Sequence, residues 1–248
     1  MNPRPDNAYE TMALRVDALG PVVLPALLLC DFGHLAREII DLQEAGAAAL
    51  HLDVMDGRFV RQLTYGLPIV VATRTSATVP IEVHLMVEEP EQTLADYAAA
   101  GANIVTVHLE SLAHPLATLK IIKSLGPRAH LAINPETPVE KVLPFLDHCD
   151  GVLVMSVSPG LGGQAFNPVA LDKLRFLTAV RAQEGLALRL AVDGGISTET
   201  VGLVAAAGAD FIVAGTAVIR SGNYAHALAN LEQIARDAMP SRQPIQTP

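Results

Sequence analysis

His51 and Asp53 stand two residues apart in an apolar run at residues 48–54. In an extended chain the side chains of i and i+2 leave on the same face, so this imidazole and this carboxylate can reach one metal ion or one substrate atom. Asp56-Gly57 follows with the chemistry of a turn, which places the pair at the C-terminal end of a strand. Two further polar residues close apolar runs in the same way. His84 lies at the end of residues 80–85, and Asp193 directly follows residues 188–192, with Gly194-Gly195 behind it. Two imidazoles and two carboxylates make a borderline-to-hard donor set that suits one divalent ion of Zn, Fe(II), Mn or Co. Any one of the four also suits a hydrogen-bonded core residue or a helix cap. Four of them at strand ends describe a site.

A fold must bring those strand ends together. Apolar runs of strand length alternate eight times with longer helical patterns, at residues 22–29, 48–54, 80–85, 103–108, 129–133, 151–156, 188–192 and 210–214. Near-continuous apolar strands are buried on both faces, as in a parallel sheet covered by helices. An Ala-Gly-Ala junction recurs at residues 45–47, 100–102 and 207–209, where glycine suits the left-handed position after a helix. Eight such units in about 220 residues predict a single (β/α)8 TIM barrel, of the kind that binds phosphate on its last loops. The barrel is expected over residues 21–239. Residues 1–20 read as an N-terminal extension and residues 240–248 as a flexible C-terminal tail, both poorly packed.

Barrel chemistry sits in the loops after the strands. Gly194, Gly195 and Ser197 run from the seventh strand towards a helix, and Gly215-Thr216 follows the eighth. These loops commonly bind phosphate through backbone N–H groups and a helix N-terminus. Plain tight turns are the other reading of either segment alone. Residues 158–164 after the sixth strand hold Gly160, Gly162, Gly163 and Gln164, and three glycines in seven residues suit a movable lid.

Composition narrows the class further. Seventeen Lys and Arg stand against 26 Asp and Glu, a formal charge of −9, so the mean field offers nothing to nucleic acid or anionic lipid. An anionic substrate must be held by local donors. The two cysteines, Cys30 and Cys149, form neither a disulfide framework nor a CxxC zinc site, and a reducing cytoplasm is the expected setting. No apolar run approaches the roughly 18 residues of a membrane span, and residues 1–10 lack a signal-peptide core.

These residues resemble the ribulose-phosphate 3-epimerase family, whose members interconvert D-ribulose 5-phosphate and D-xylulose 5-phosphate. The resemblance covers residues 24–218. Its markers are His51 to Gly57 with Phe59-Val60, Val83 to Met86, Asn134-Pro135, Met155-Ser156-Val157 with Pro159-Gly160, Gly162-Gly163-Gln164 with Phe166, and Val192 to Ile196. It implies that His51, Asp53, His84 and Asp193 bind one divalent metal and that Asp53 and Asp193 are the acid/base pair. It further implies that Gly160, Gly162, Gly163, Gln164, Gly194, Gly195, Gly215 and Thr216, with His84, contact the sugar phosphate, and that Met55, Met86 and Met155 line the site. Ordinary core packing explains the methionines equally well. The chemistry is consistent with this: inverting a carbon beside a ketone needs two opposed proton-transfer groups and neutralisation of enediolate charge. A homo-oligomer is usual in the family.

The chain departs from the family at several positions. It has Ala26 in place of a substrate-contacting serine, Arg58, Arg61 and Gln62 after the metal strand, Leu161 for a phenylalanine, and Thr216 for a serine. The Arg58 and Arg61 side chains suit solvent or an interface. His108 suits a hydrogen-bonded structural role rather than ligation, and His34, His114, His130, His148 and His226 read as surface or packing residues. The departures keep open a sister 3-epimerase acting on D-allulose 6-phosphate. A third reading, a catalytically silent barrel that binds a phosphometabolite, predicts loss of ligands that are all present.

Overall fold

The computed structural model describes residues 8–160 and 163–239. Eight strands, β1 (Val22–Pro25), β2 (Leu50–Met55), β3 (Ile81–Met86), β4 (Ile104–His108), β5 (Arg128–Ile133), β6 (Gly151–Met155), β7 (Arg189–Asp193) and β8 (Phe211–Ala214), form one sheet in the order β1-β8-β7-β6-β5-β4-β3-β2. Every pairing is parallel. The seam between β1 and β2 is spanned by a parallel bridge of Ala26 with His51, so the sheet closes beside the first candidate site residue. This is the expected TIM barrel.

Alternation sorts the side chains into two cores. Leu50, Leu52 and Val54 of β2, with Ile81, Val83 and Leu85 of β3, face the helices and share the larger cluster. The barrel interior holds Val22, Leu24, Ala26, Ile104, Ala132, Leu153, Met155, Ala191, Phe211 and Val213. His51, Asp53, Glu82, His84, Thr106, His108 and His130 are also buried, and they occupy the interior-facing positions of β2 to β5.

Helix α1 (Ala8–Leu19) precedes the barrel. Met12 and Val16 are buried in the interior cluster with Val22 and Leu24, the Arg128 guanidinium lies 4.9 Å from the Tyr9 ring centroid, and Arg15 pairs with Glu232 at 2.6 Å. The expectation of poor packing before residue 21 therefore fails for these residues. Apolar side chains from α1 seal the N-terminal mouth of the barrel, a contact that no local pattern announces. Residues 240–248 lie outside the described residues, as do Leu161 and Gly162.

The connecting helices are α2 (Leu35–Glu44), α3 (Leu67–Ser76), α4 (Leu94–Ala99), α5 (Pro115–Ser124), α6 (Val169–Glu184), α7 (Val201–Ala206), α8 (Thr216–Ile219) and α9 (Tyr224–Ala238). Gly46, Gly101 and Gly208 of the repeated junctions have φ of 96°, 98° and 106°, the left-handed position expected after a helix. Two elements differ from expectation. The first apolar run leaves the sheet at Pro25 and continues as a 3-10 turn, Leu27–Leu29, because an apolar run without alternation does not distinguish a strand from a buried turn. The β5–β6 crossover is a 3-10 segment, Val139–Phe145, with Pro144 inside it; proline removes the amide that an α-helical turn needs.

Candidate active site

The β2–β3 register pairs His51 with Glu82 and Asp53 with His84. Strand β7 then carries Asp193 to the same rim. One ligand atom each from His51, Asp53, His84 and Asp193 lie within 4.8 Å of one another. Asp53 Oδ1 is 3.1 Å from His51 Nε2 and 3.2 Å from His84 Nδ1. Asp193 Oδ2 is 3.9 Å and 3.8 Å from the same two nitrogens. Donors on a tetrahedral shell of about 2.1 Å stand about 3.4 Å apart, so the four donors present fit a single divalent cation. All four residues expected to bind metal thus converge.

The site is electrostatically divided. Burial works against charge on Asp53, yet the His51 ring and hydrogen bonds from His51 and His84 hold its carboxyl well below the usual range. Asp193 is pushed up to about 7, first by burial and then by the charge of Asp53. Burial disfavours the His51 cation, but Asp53 and Glu82 outweigh it and raise this imidazole well above its ordinary value. Two carboxylates in one site with proton affinities driven apart are the arrangement that acid/base pairs use.

Several partners were not singled out from the sequence. Glu82 Oε2 accepts from His51 Nδ1 at 2.9 Å, and Glu82 Oε1 accepts from Thr106 Oγ1 at 2.6 Å. The i/i+2 rule that joins His51 to Asp53 also joins Glu82 to His84, and a carboxylate inside an apolar strand was the available signal. His108 lies outside the four-residue cluster, and its Nε2 is 2.8 Å from His84 Nε2. Beside the seam, Tyr65 Oη accepts the Asp53 amide at 3.0 Å, and Thr64 Oγ1 accepts the Met55 amide at 3.0 Å while donating to the Asp53 carbonyl. Those backbone groups lack a strand partner because β1 ends at Pro25. Asp56 Oδ1 accepts the Arg58 and Phe59 amides and its Oδ2 accepts the Glu88 amide, tying the loops after β2 and β3 together. Gly57 turns there with φ of 73°, and Arg58 pairs with Glu88 on the surface.

Above the cluster opens a cavity of about 320 Å³. Asp53 and Asp193 face it, as do Met55, Met86, Met155, Gly160, Gly163, Gln164, Gly194, Gly195, Gly215 and Thr216. Ala26 lines it too. His51 and His84 are fully buried and are not among its lining residues, so His84 stands behind the carboxylates rather than on the cavity wall. Gly195 (φ 59°) packs so closely that a Cβ there would meet Phe166 Cα at 2.6 Å, and a Cβ on Gly194 (φ 106°) would meet Val157 Cγ2 at 2.5 Å. The loop after β7 therefore needs glycine at both positions.

The sequence profile of the Ribulose-phosphate 3 epimerase family matches residues 22–219. The chain is 44% identical over 217 residues to the ribulose-phosphate 3-epimerase of Synechocystis sp., covering 87% of this chain and 94% of that one. It is 42% identical over 204 residues to that of Escherichia coli K12, covering 82% and 91%, and 40% identical over 210 residues to that of Bacillus subtilis, covering 84% and 97%. Among solved structures it resembles KGPDC from Streptococcus mutans, determined in complex with D-R5P, with a TM-score of 0.68 at 15% identity over 89% of this chain and 99% of that one. It also resembles tryptophan synthase subunit alpha from Legionella pneumophila, with a TM-score of 0.63 at 16% identity over 94% and 99%. These two likenesses show the barrel fold. Identity above 40% across nearly the whole barrel, with the four converging donors in place, shows that this chain belongs to the ribulose-phosphate 3-epimerase family.

Proposed function

We propose that this isomerase inverts C3 of a ketose phosphate, converting D-ribulose 5-phosphate to D-xylulose 5-phosphate, with Asp53 and Asp193 as its acid/base pair. The observation that carries the reading is that these two carboxylates, from β2 and β7, are the members of the four-residue cluster that line the cavity. One carboxylate removes the C3 proton, and the C–H electrons delocalise into the C2 carbonyl to give a planar enediolate. The other delivers a proton to the opposite face of C3, and solvent exchange resets both groups. Asp53, held ionised, suits the base; Asp193, held near neutrality, suits the acid, and the roles exchange in the reverse direction.

His51, Asp53, His84 and Asp193 would hold one divalent ion, with Zn, Fe(II), Mn and Co all suited to the donors. When bound, the ion supplies Lewis-acid neutralisation of charge on the ketone and hydroxyl oxygens. The backbone of Gly160, Gly162, Gly163, Gly194, Gly195 and Gly215, with Gln164 and Thr216, would receive the phosphate end. Met55, Met86 and Met155 give the planar intermediate an apolar, adaptable wall. The catalytic unit is the barrel of residues 21–239. Among the described residues no helix is long and apolar enough to cross a membrane. A cytoplasmic homo-oligomer acting on a small sugar phosphate, with no nucleic-acid partner, accords with the charge of −9 and with the frequency of such assemblies.

A coupled assay of metal-reconstituted protein on D-ribulose 5-phosphate and on D-allulose 6-phosphate, beside Asp193→Asn, tests this. Faster turnover of the pentulose, lost in the variant, is the expected result. Ala26 offers the cavity no side-chain hydrogen-bond donor, and preference for the hexulose phosphate would keep the chemistry and change the substrate. No exchange of the C3 hydrogen with solvent for either sugar would overturn the reading.

A further inference from the structure

The two imidazoles of the cluster turn different nitrogens towards its centre, His51 by Nε2 and His84 by Nδ1. Each can ligate only if that nitrogen carries a lone pair, so each ring must be held in the opposite tautomer from the other. His51 is fixed by Glu82, because a carboxylate can only accept and Nδ1 must donate to it. The outer nitrogen of His84 has no such carboxylate, and its Nδ1 faces Asp53 Oδ1 at 3.2 Å, a contact that a metal ion would replace. Its Nε2 faces the Nε2 of His108 at 2.8 Å, and two facing ring nitrogens form a hydrogen bond in either direction.

We propose that Glu110 is the positioning residue that decides that direction, acting through His108 to keep the His84 Nδ1 free for a metal ion; this rests on the metal-site reading given above. His108 Nδ1 lies 3.4 Å from Glu110 Oε2, within reach of the carboxylate charge but without a formed hydrogen bond. With Nδ1–H towards that carboxylate, His108 Nε2 is an acceptor, His84 Nε2 donates to it, and His84 Nδ1 presents its lone pair to the cluster. The reverse arrangement sets the His108 Nδ1 lone pair against the carboxylate charge and leaves the proton on His84 Nδ1, where it blocks ligation. Glu110 is itself held in place: its Oε1 accepts the Asn134 amide at 2.8 Å and the Thr137 hydroxyl. Lys173 Nζ grips the same loop from the other side, donating to the carbonyls of Asn134, Pro135 and Thr137 at 2.7, 2.8 and 2.7 Å. His108 is buried between the rings of His84 and Phe59, with centroids 4.9 Å from each, so its ring cannot swing away without repacking.

The test uses the full chain with 15N-histidine, loaded with 113Cd for nuclear magnetic resonance and titrated with Co(II) by visible absorption. In the wild type, 113Cd should couple to Nε2 of one ring and Nδ1 of another. Glu110→Gln keeps the shape but can donate to His108 Nδ1, and it should weaken Co(II) binding about 10- to 100-fold, the range seen when outer-shell partners of metal-bound histidines are altered. His108→Leu, which removes the acceptor, should weaken it similarly. Thr137→Val removes one of the two hydrogen bonds to Glu110 Oε1, leaving the Asn134 amide and the carboxylate charge, and should weaken Co(II) binding far less than Glu110→Gln does. Coupling through Nε2 of both rings, unchanged affinity in Glu110→Gln and His108→Leu, or an equal loss in Thr137→Val would each overturn the proposal. A wild type that binds no Co(II) would refute the metal-site reading itself, a result separate from those three.

Discussion

The substitution Asp193→Asn should stabilise the chelator-treated protein while removing its activity. Asparagine keeps the shape of the side chain and deletes the charge. Burial and the neighbouring Asp53 charge raise the Asp193 carboxyl from 3.8 to about 7. At about 1.36 kcal/mol per unit, a shift of that size corresponds to about 4 kcal/mol against folding once the group is ionised. The side chain is 17% exposed and its charge is shared with the Asp53 network, so about 2 kcal/mol is the expected net cost. The sign follows from linkage: the folded state binds this proton more tightly than the unfolded chain, so its contribution is harmless below about pH 4, turns unfavourable as pH rises towards 7, and is constant above that. Scanning calorimetry in a chelator should therefore show Tm of the variant about 4–8 °C above wild type at pH 8 and level with it near pH 4. A saturating divalent ion should raise the wild-type Tm more than the variant's, and turnover should fall about 10²- to 10⁴-fold with the loss of one proton-transfer group. A variant no more stable than wild type at pH 8, or equally stabilised at both pH values, would refute the electrostatic reasoning.

Three further perturbations probe other parts of the site. Gly195→Ala places a methyl against the Phe166 backbone at positive φ; it should cost about 1–3 kcal/mol in calorimetry and raise KM for the sugar phosphate at least about tenfold, as expected if that loop receives the anion. Asp56→Ala orphans three amides and should cost about 1–3 kcal/mol at pH 7. Burial opposes ionisation of Asp56, but those amides hold its carboxyl below the usual range; the stabilisation is thus present at neutral pH and disappears as pH falls through the lowered value, so a denaturation series should show the gap between variant and wild type closing only in acid, below the ordinary carboxylate range. Burial pushes the Cys149 thiol up to about 12 and the Cys30 thiol well above its usual range, so the folded protein should leave a disulfide reagent unreacted at pH 8 and titrate as two thiols in guanidinium; reaction in the native state would count against that burial.

What the sequence by itself determined was local and periodic. Spacing by two put His51 with Asp53 on one face, the Ala-Gly-Ala junctions marked where helices end, and eight apolar runs counted the strands, because the pleat and the helical turn are properties of consecutive residues. The polar residues at strand ends could be read as a site once a barrel was assumed, since that fold gathers all its strand ends on one rim.

Tertiary structure decided the rest. Register set Asp53 beside His84 and His51 beside Glu82, closure brought Asp193 to within 3.9 Å of His51 from 142 positions along the chain, and α1 sealed the floor through Met12 and Val16. The contacts that drive the proton affinities of Asp53 and Asp193 apart, His51 and His84 on the one and burial with the Asp53 charge on the other, exist only once the barrel is closed around them. Glu82, His108 and Glu110 were in plain view as residue types, but which nitrogen each would face depends on strand stagger and ring orientation, and neither is encoded in the spacing of neighbouring residues.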